Sequence, residues 1–241
     1  MDGRYFGDTR DLFTFDLVRH IMKSLPELAG FTFVPMLTGT ETAGHGKKDA
    51  QKDLDKAYRF GKAGSQNSEL REHLMRLQEI ANEPEYFRGI GTYFDKEMIL
   101  IDISGRQRFT NPDRDTYFQS VLHDFPKNSL IFLDPETGLE EEHPDEKHLL
   151  LSEVKKVCDH LDSGSILMIY QHIPRAKHEE YVRRRCTQLE ESTGSWPAVI
   201  TDNEIAFFLF AKNQKLMVHL KNALECYADT YPALRFLNCR S

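Results

Sequence analysis

"WPAVITDNEIAFFLFAKN", residues 196–213, sets two short β-prone apolar runs on either side of Asp202 and Asn203. Asp and Asn are turn residues because their short polar side chains bond locally and tolerate the backbone of a tight loop. The segment therefore predicts two antiparallel strands joined as a hairpin. Its weight comes from what precedes it, because the chain upstream keeps a different rhythm.

Working backwards, 176–192 is a polar helix, and "SILMIYQHIPR" (165–175) is an almost unbroken apolar run. Such a run suits a strand covered on both faces of a parallel sheet. "HLLLSEVKKVCDHLD" (148–162) has helical spacing, "LIFLDPETGLE" (130–140) opens as a strand, and "RDTYFQSVLHDF" (114–125) is again a helix. "EMILIDI" (97–103) predicts a strand closed by Ser104 and Gly105, and "FTFVPML" (31–37) another after Gly30. In 69–83, Leu70, Leu74, Leu77 and Ile80 share one helical face that runs to Pro84. A first helix spans 11–25, with Leu17, Val18, Ile21 and Leu25 on its apolar side and Pro26 as its stop; a last one spans about 213–227.

Alternating strands and helices call for a mostly parallel sheet with right-handed crossovers. The expected fold is a single Rossmann-like α/β domain over 1–241, with helices on both faces and a C-terminal antiparallel hairpin. A Lys-, Asp- and Gly-rich stretch at 47–66 reads equally as frayed helix or loop, so a helical excursion is expected over about 47–90.

A chain of 241 residues with 40% apolar and 29% charged residues can bury one full core. A formal charge of −7 argues against coating nucleic acid through bulk electrostatics, and leaves room for a local basic groove. No apolar run approaches a membrane span, and "MDGRYFGDTRD" lacks a signal-peptide layout, so a cytoplasmic protein is expected. Cys158, Cys186, Cys226 and Cys239 show no zinc-ligand spacing and read as reduced thiols.

In open α/β sheets ligands bind outside the carboxyl ends of the strands. Four such places carry chemistry: Thr38 to Gly46, Asp102, Asp134 to Glu140, and Tyr170 to Arg175. Gly39, Gly44 and Gly46 would let backbone amides approach a ligand. Pro135 pushes Asp134 into an extended conformation, holding its carboxylate at the strand tip, and Gly138 permits a turn that returns Glu140 to the same edge. His172 titrates near neutrality beside Tyr170 and Arg175. Each has a plainer reading, in which Asp134 caps loop amides, His172 is a satisfied structural residue and "LEEEHPDEKH" is a solvated loop.

Together "YFGDTRDLFTFDLV", "LIFLDPETGLE" and "ILMIYQHIPR" resemble an uncharacterised prokaryotic protein family marked by GDxxD, DPxxGhE (h apolar) and YQHxPR. More distantly the chain resembles the S-adenosylmethionine (SAM)-dependent adenine-N6 methyltransferases of ribosomal RNA, which share the hairpin ending. That resemblance implies a SAM-binding role for Asp8 and Asp11, with Thr38, Gly39 and Asp102 at the cofactor-side strand ends. It implies a catalytic role for Asp134 and Pro135, the first half of a DPPY motif, with Glu136 and His172 beside them and nucleic acid as substrate. Glu136 and Thr137 stand where DPPY has its second proline and tyrosine, and Thr14 where those enzymes carry a lysine.

Two other readings stay open at this level. Asp134, Glu136, Glu140 and His172 would form a divalent-metal phosphodiesterase or nuclease site if the fold gathers them. Alternatively the chain keeps a Rossmann-like frame without chemistry.

Overall fold

A computed structural model describes residues 6–38, 50–78, 83–123, 125–174 and 177–239. Gly39, Gly44, Gly46, Ile80 and Arg175 lie outside the described residues.

Helix α1 (Thr9–Ser24) leads into β1 (Gly30–Val34), and α2 (Ala50–Arg59), α3 (Ser68–Leu77) and α4 (Glu83–Lys96) precede β2 (Ile101–Ile103). Helix α5 (Arg114–His123) leads to β3 (Ser129–Leu133), followed by two miniature strands, β4 (Gly138–Leu139) and β5 (His148–Leu149). The chain then runs through α6 (Leu151–His160), β6 (Ile166–His172), α7 (His178–Thr193), β7 (Ala198–Thr201), β8 (Ile205–Ala211), α8 (Gln214–Thr230) and β9 (Arg235–Asn238).

The main sheet has seven strands in the order β2-β1-β3-β6-β8-β7-β9, while β4 and β5 pair with each other. Strands β2, β1, β3 and β6 are parallel. β8 enters antiparallel beside β6 and carries β7 back as the outer arm of the hairpin. The fold is thus the expected Rossmann-like α/β sheet. One apolar cluster joins the sheet to α1, α3, α4 and α8 on one face, and a second joins it to α5, α6 and α7 on the other. This two-sided cover is why β1, β3 and almost all of β6 are buried along their length.

Several local expectations change. Helices α2, α3 and the start of α4 fall within the stretch 47–90, and Leu54, Leu70, Leu74, Tyr86, Phe87 and Ile90 enter the main core. Pro84 sits in the first turn of α4 instead of ending the helix before it, the position where a missing N–H costs nothing. Glycines mask α4 in the sequence. Gly89 lets Leu77 pack close against α4; a Cβ there would lie 2.2 Å from Leu77 Cδ2, so the leucine would have to shift. The short edge strand β9 carries too little alternation to be read in advance; it pairs antiparallel with β7. Cys186 and Cys239 are joined as a disulfide, correcting the reading of all four cysteines as thiols; Cys158 and Cys226 are free. Among the described residues no helix is long and apolar enough to cross a membrane.

Candidate functional site

The order of the strands fixes where to look. The chain lays down β1, moves to β2 on one side and then returns to β3 on the other, so the topological switch point lies between β1 and β3. Their carboxyl ends are pinned together where the Asp134 amide donates to Val34 O at 2.9 Å. Immediately outside is an open cleft of about 260 Å³ lined by α1, the segment after β3 and the end of β6.

The α1 wall is built by the GDxxD segment. Gly7 has φ +74°, and a Cβ there would sit 2.9 Å from Leu74 O, so this position needs glycine twice over. Asp8 caps the helix, its Oδ1 accepting from the amides of Arg10 (2.7 Å) and Asp11 (3.2 Å). Asp11 reaches back to accept from the Gly7 amide at 2.6 Å and accepts from the Tyr86 hydroxyl on α4. Burial, followed by the charge of Asp8, pushes the Asp11 carboxyl well above the ordinary carboxylate range. Asp8, Arg10, Asp11 and Thr14 line the cleft from this side.

Asp134, Pro135, Glu136 and Thr137 form the opposite lip. Asp134 is partly open to the cleft but closely surrounded by protein, and burial with the nearby charge of Asp8 lifts its carboxyl to about 7, against an opposing pull from Arg10. Glu136 is held in an ion pair with Lys147 at 2.8 Å. Tyr170 and His172 close the floor from β6. Burial and then Arg10 lower the His172 imidazole, which keeps it neutral near pH 7, and its buried Nδ1 has no hydrogen-bond partner among the described residues.

Behind the lip, Gln171 points to the other face and ties three elements together. Its Oε1 accepts from the Leu139 amide at 2.9 Å, and its Nε2 donates to His172 O at 2.7 Å and to the Tyr181 hydroxyl at 2.9 Å. Gly138, at φ +111°, leaves room for this side chain; a Cβ would lie 2.4 Å from Gln171 Nε2. The glycine of DPxxGhE and the glutamine of YQHxPR are therefore one packing unit.

The fold thus brings together Asp8, Asp11, Asp134, Pro135, Glu136 and His172, which come from three separate stretches of sequence. Thr38 and Asp102 stand elsewhere. Thr38 is buried in a bridge to Phe109, and its carbonyl accepts from Arg108 at 2.6 Å. Asp102 is exposed on the edge strand and accepts from its own neighbour, Ser104. The four proposed metal ligands do not gather, because Glu140 turns to the start of α6 and accepts from the Leu151 amide at 3.0 Å. Among the described residues no group of three or more His, Cys, Asp or Glu side chains is placed to hold a metal ion. Arg10 is a site residue that sequence reasoning misses, although its place one turn before Thr14 on a helix capped at Asp8 puts it on the same wall. No protein-family model matches the chain, and no curated protein matches it.

Proposed function

We propose that this cleft is the active site of a SAM-dependent methyltransferase that acts on an amino nitrogen, with a nucleic-acid base as the acceptor. The observation that carries the reading is the Asp-Pro tip at the switch point: a carboxylate at the end of β3, facing the capped start of α1 across an open cleft. The hairpin that inserts β8 antiparallel beside β6 adds to it, since those enzymes share that layout.

Asp8, and Asp134 once it ionises above about pH 7, bring negative charge to the cleft, which suits a ligand that carries a sulfonium and an ammonium group. When bound, SAM supplies an activated methyl group. Asp134 would accept a hydrogen bond from the acceptor's amino group, turning the nitrogen lone pair towards the methyl carbon. Most of the rate would come from this orientation, not from strong acid or base chemistry. Near neutrality Asp134 is poised to take the proton the nitrogen releases, and neutral His172 stands in the same cleft to relay it.

Calorimetry with SAM and with S-adenosylhomocysteine tests the first step. Saturable heat and a thermal shift are expected with both; neither at millimolar ligand would rule the reading out. With a responsive RNA or DNA substrate, Asp134→Ala is expected to lower methyl transfer about a hundredfold or more while SAM still binds. An unchanged rate would remove Asp134 from the chemistry.

A further inference from the structure

Asp134 and Tyr170 stand side by side. β3 and β6 run parallel with Leu133 opposite Ile169; Asp134 follows the end of β3, Tyr170 is the next residue of β6, and both line the cleft. Strand alternation puts both on the face where Phe132 and Met168 already point, towards α1. Neighbouring strands lie about 4.8 Å apart at the backbone, so the two side chains start from adjacent positions and line one cleft with a carboxylate acceptor and a phenol donor. The two do not satisfy each other. Asp134 acts on Tyr170 only as a nearby charge.

Tyr170 is 6% exposed, and its ring packs at a steep angle against Phe207 with 6.1 Å between centroids. Among the described residues no group hydrogen-bonds its hydroxyl, and Tyr170 lines the open cleft, so the hydroxyl is left for a ligand to pair. A ring enclosed to this degree offers no face for stacking. What it presents to the cleft is the hydroxyl, which burial keeps protonated and therefore a donor.

We infer that this pair recognises the edge of an amino-heterocycle in which an exocyclic amino group lies beside an unprotonated ring nitrogen. Asp134 accepts from the amino group, and the Tyr170 hydroxyl donates to the ring nitrogen. The inference rests on the reading of Asp134 as the amine-holding group, and adds the second contact and the edge it selects. The tyrosine missing from the DPPY pattern is not replaced as a stacking surface; selection shifts to paired hydrogen bonds. Such a site discriminates well, because an analogue lacking one partner leaves a buried group unpaired.

Titration calorimetry of the full chain with adenosine, 1-deazaadenosine and purine riboside tests it. The second probe keeps the amino group and lacks the ring nitrogen; the third keeps the nitrogen and lacks the amino group. Adenosine is expected to bind about tenfold more tightly than either. Tyr170→Phe, which deletes the hydroxyl alone, should weaken adenosine about tenfold and leave 1-deazaadenosine unchanged. Unchanged adenosine binding in that variant, an equal loss there for adenosine and for 1-deazaadenosine, or no adenosine heat at millimolar concentration would overturn the inference. Displacement of adenosine by S-adenosylhomocysteine would also overturn it, by placing adenosine in the cofactor's site. If S-adenosylhomocysteine gives no heat while Tyr170-dependent adenosine binding persists, methyl transfer falls and the edge-reading pair stands.

Discussion

Asp134→Asn is expected to resist urea better than the parent protein at about pH 8, by about 2–4 kcal/mol, and to lose most of that advantage by about pH 4. The sign follows from the direction in which burial moves this carboxyl. Asp134 titrates at about 7 in the folded chain because burial disfavours its charged form, whereas its ordinary value is 3.8. Between these values the folded protein keeps a proton that the unfolded chain has released, so stability falls as pH rises through that window. Below the window both states are protonated and the difference vanishes. Above it the full cost of a buried charge is present, at about 1.4 kcal/mol for each pH unit that separates the two values. The lower end of the expected range allows for water in the open cleft. Urea titrations of both proteins from about pH 4 to pH 8 check this, and parallel pH dependences would show that Asp134 is not held at this cost. A carboxylate kept in a cleft against its own stability is what a functional site entails and a loop cap does not.

Asp134 can be placed from the sequence because its signals are local: an apolar run ends, a proline follows, and the carboxylate is fixed at the tip. The sheet and its hairpin are legible for a similar reason, since apolar runs and turn residues act over a few positions. What stays hidden depends on contacts far apart in the chain. Nothing near Glu140 says that its carboxylate caps α6 rather than returning to Asp134. Gly138 reads as a turn residue, but its second reason, room for Gln171, lies 33 positions away by residue number. Asp102 ends a strand as Asp134 does, yet β2 is an exposed edge and β3 is central, a difference set by strand order. In α4 the close approach of Leu77 and a hydrogen bond of 2.8 Å from His73 Nε2 to Gly89 O hold in a helix a segment whose glycines argue against one.

Arg185→Met should destabilise the protein by about 2–3 kcal/mol, while Arg184→Met should change stability by less than about 1 kcal/mol. The two neighbours are alike in composition and opposite in environment. Arg184 is largely in solvent and meets Glu141 at 3.8 Å. Arg185 is 1% exposed; its guanidinium donates to Glu140 O at 2.7 Å, Gln188 Oε1 at 2.9 Å and the Tyr181 hydroxyl at 3.1 Å, and pairs with Glu141. Methionine fills much of the space but leaves the Glu140 carbonyl without this donor and takes one of two donors from the Tyr181 hydroxyl, which keeps Gln171. Lysine is expected to rescue little, because one ammonium cannot reproduce a planar fork that serves several acceptors at once. Urea unfolding of the three variants checks the ranking, and equal stability of the two methionine variants would refute it. The helical phase carries the signal. Tyr181, Arg185 and Leu189 fall four apart on the buried face of α7, so within "YVRRRC" the third arginine occupies a core position. It fastens the far side of the loop whose near side presents Asp134, and the Tyr181 hydroxyl it donates to also receives Gln171. The variant's damage should therefore reach the cleft, loosening the lip opposite α1 before the rest of the sheet gives way.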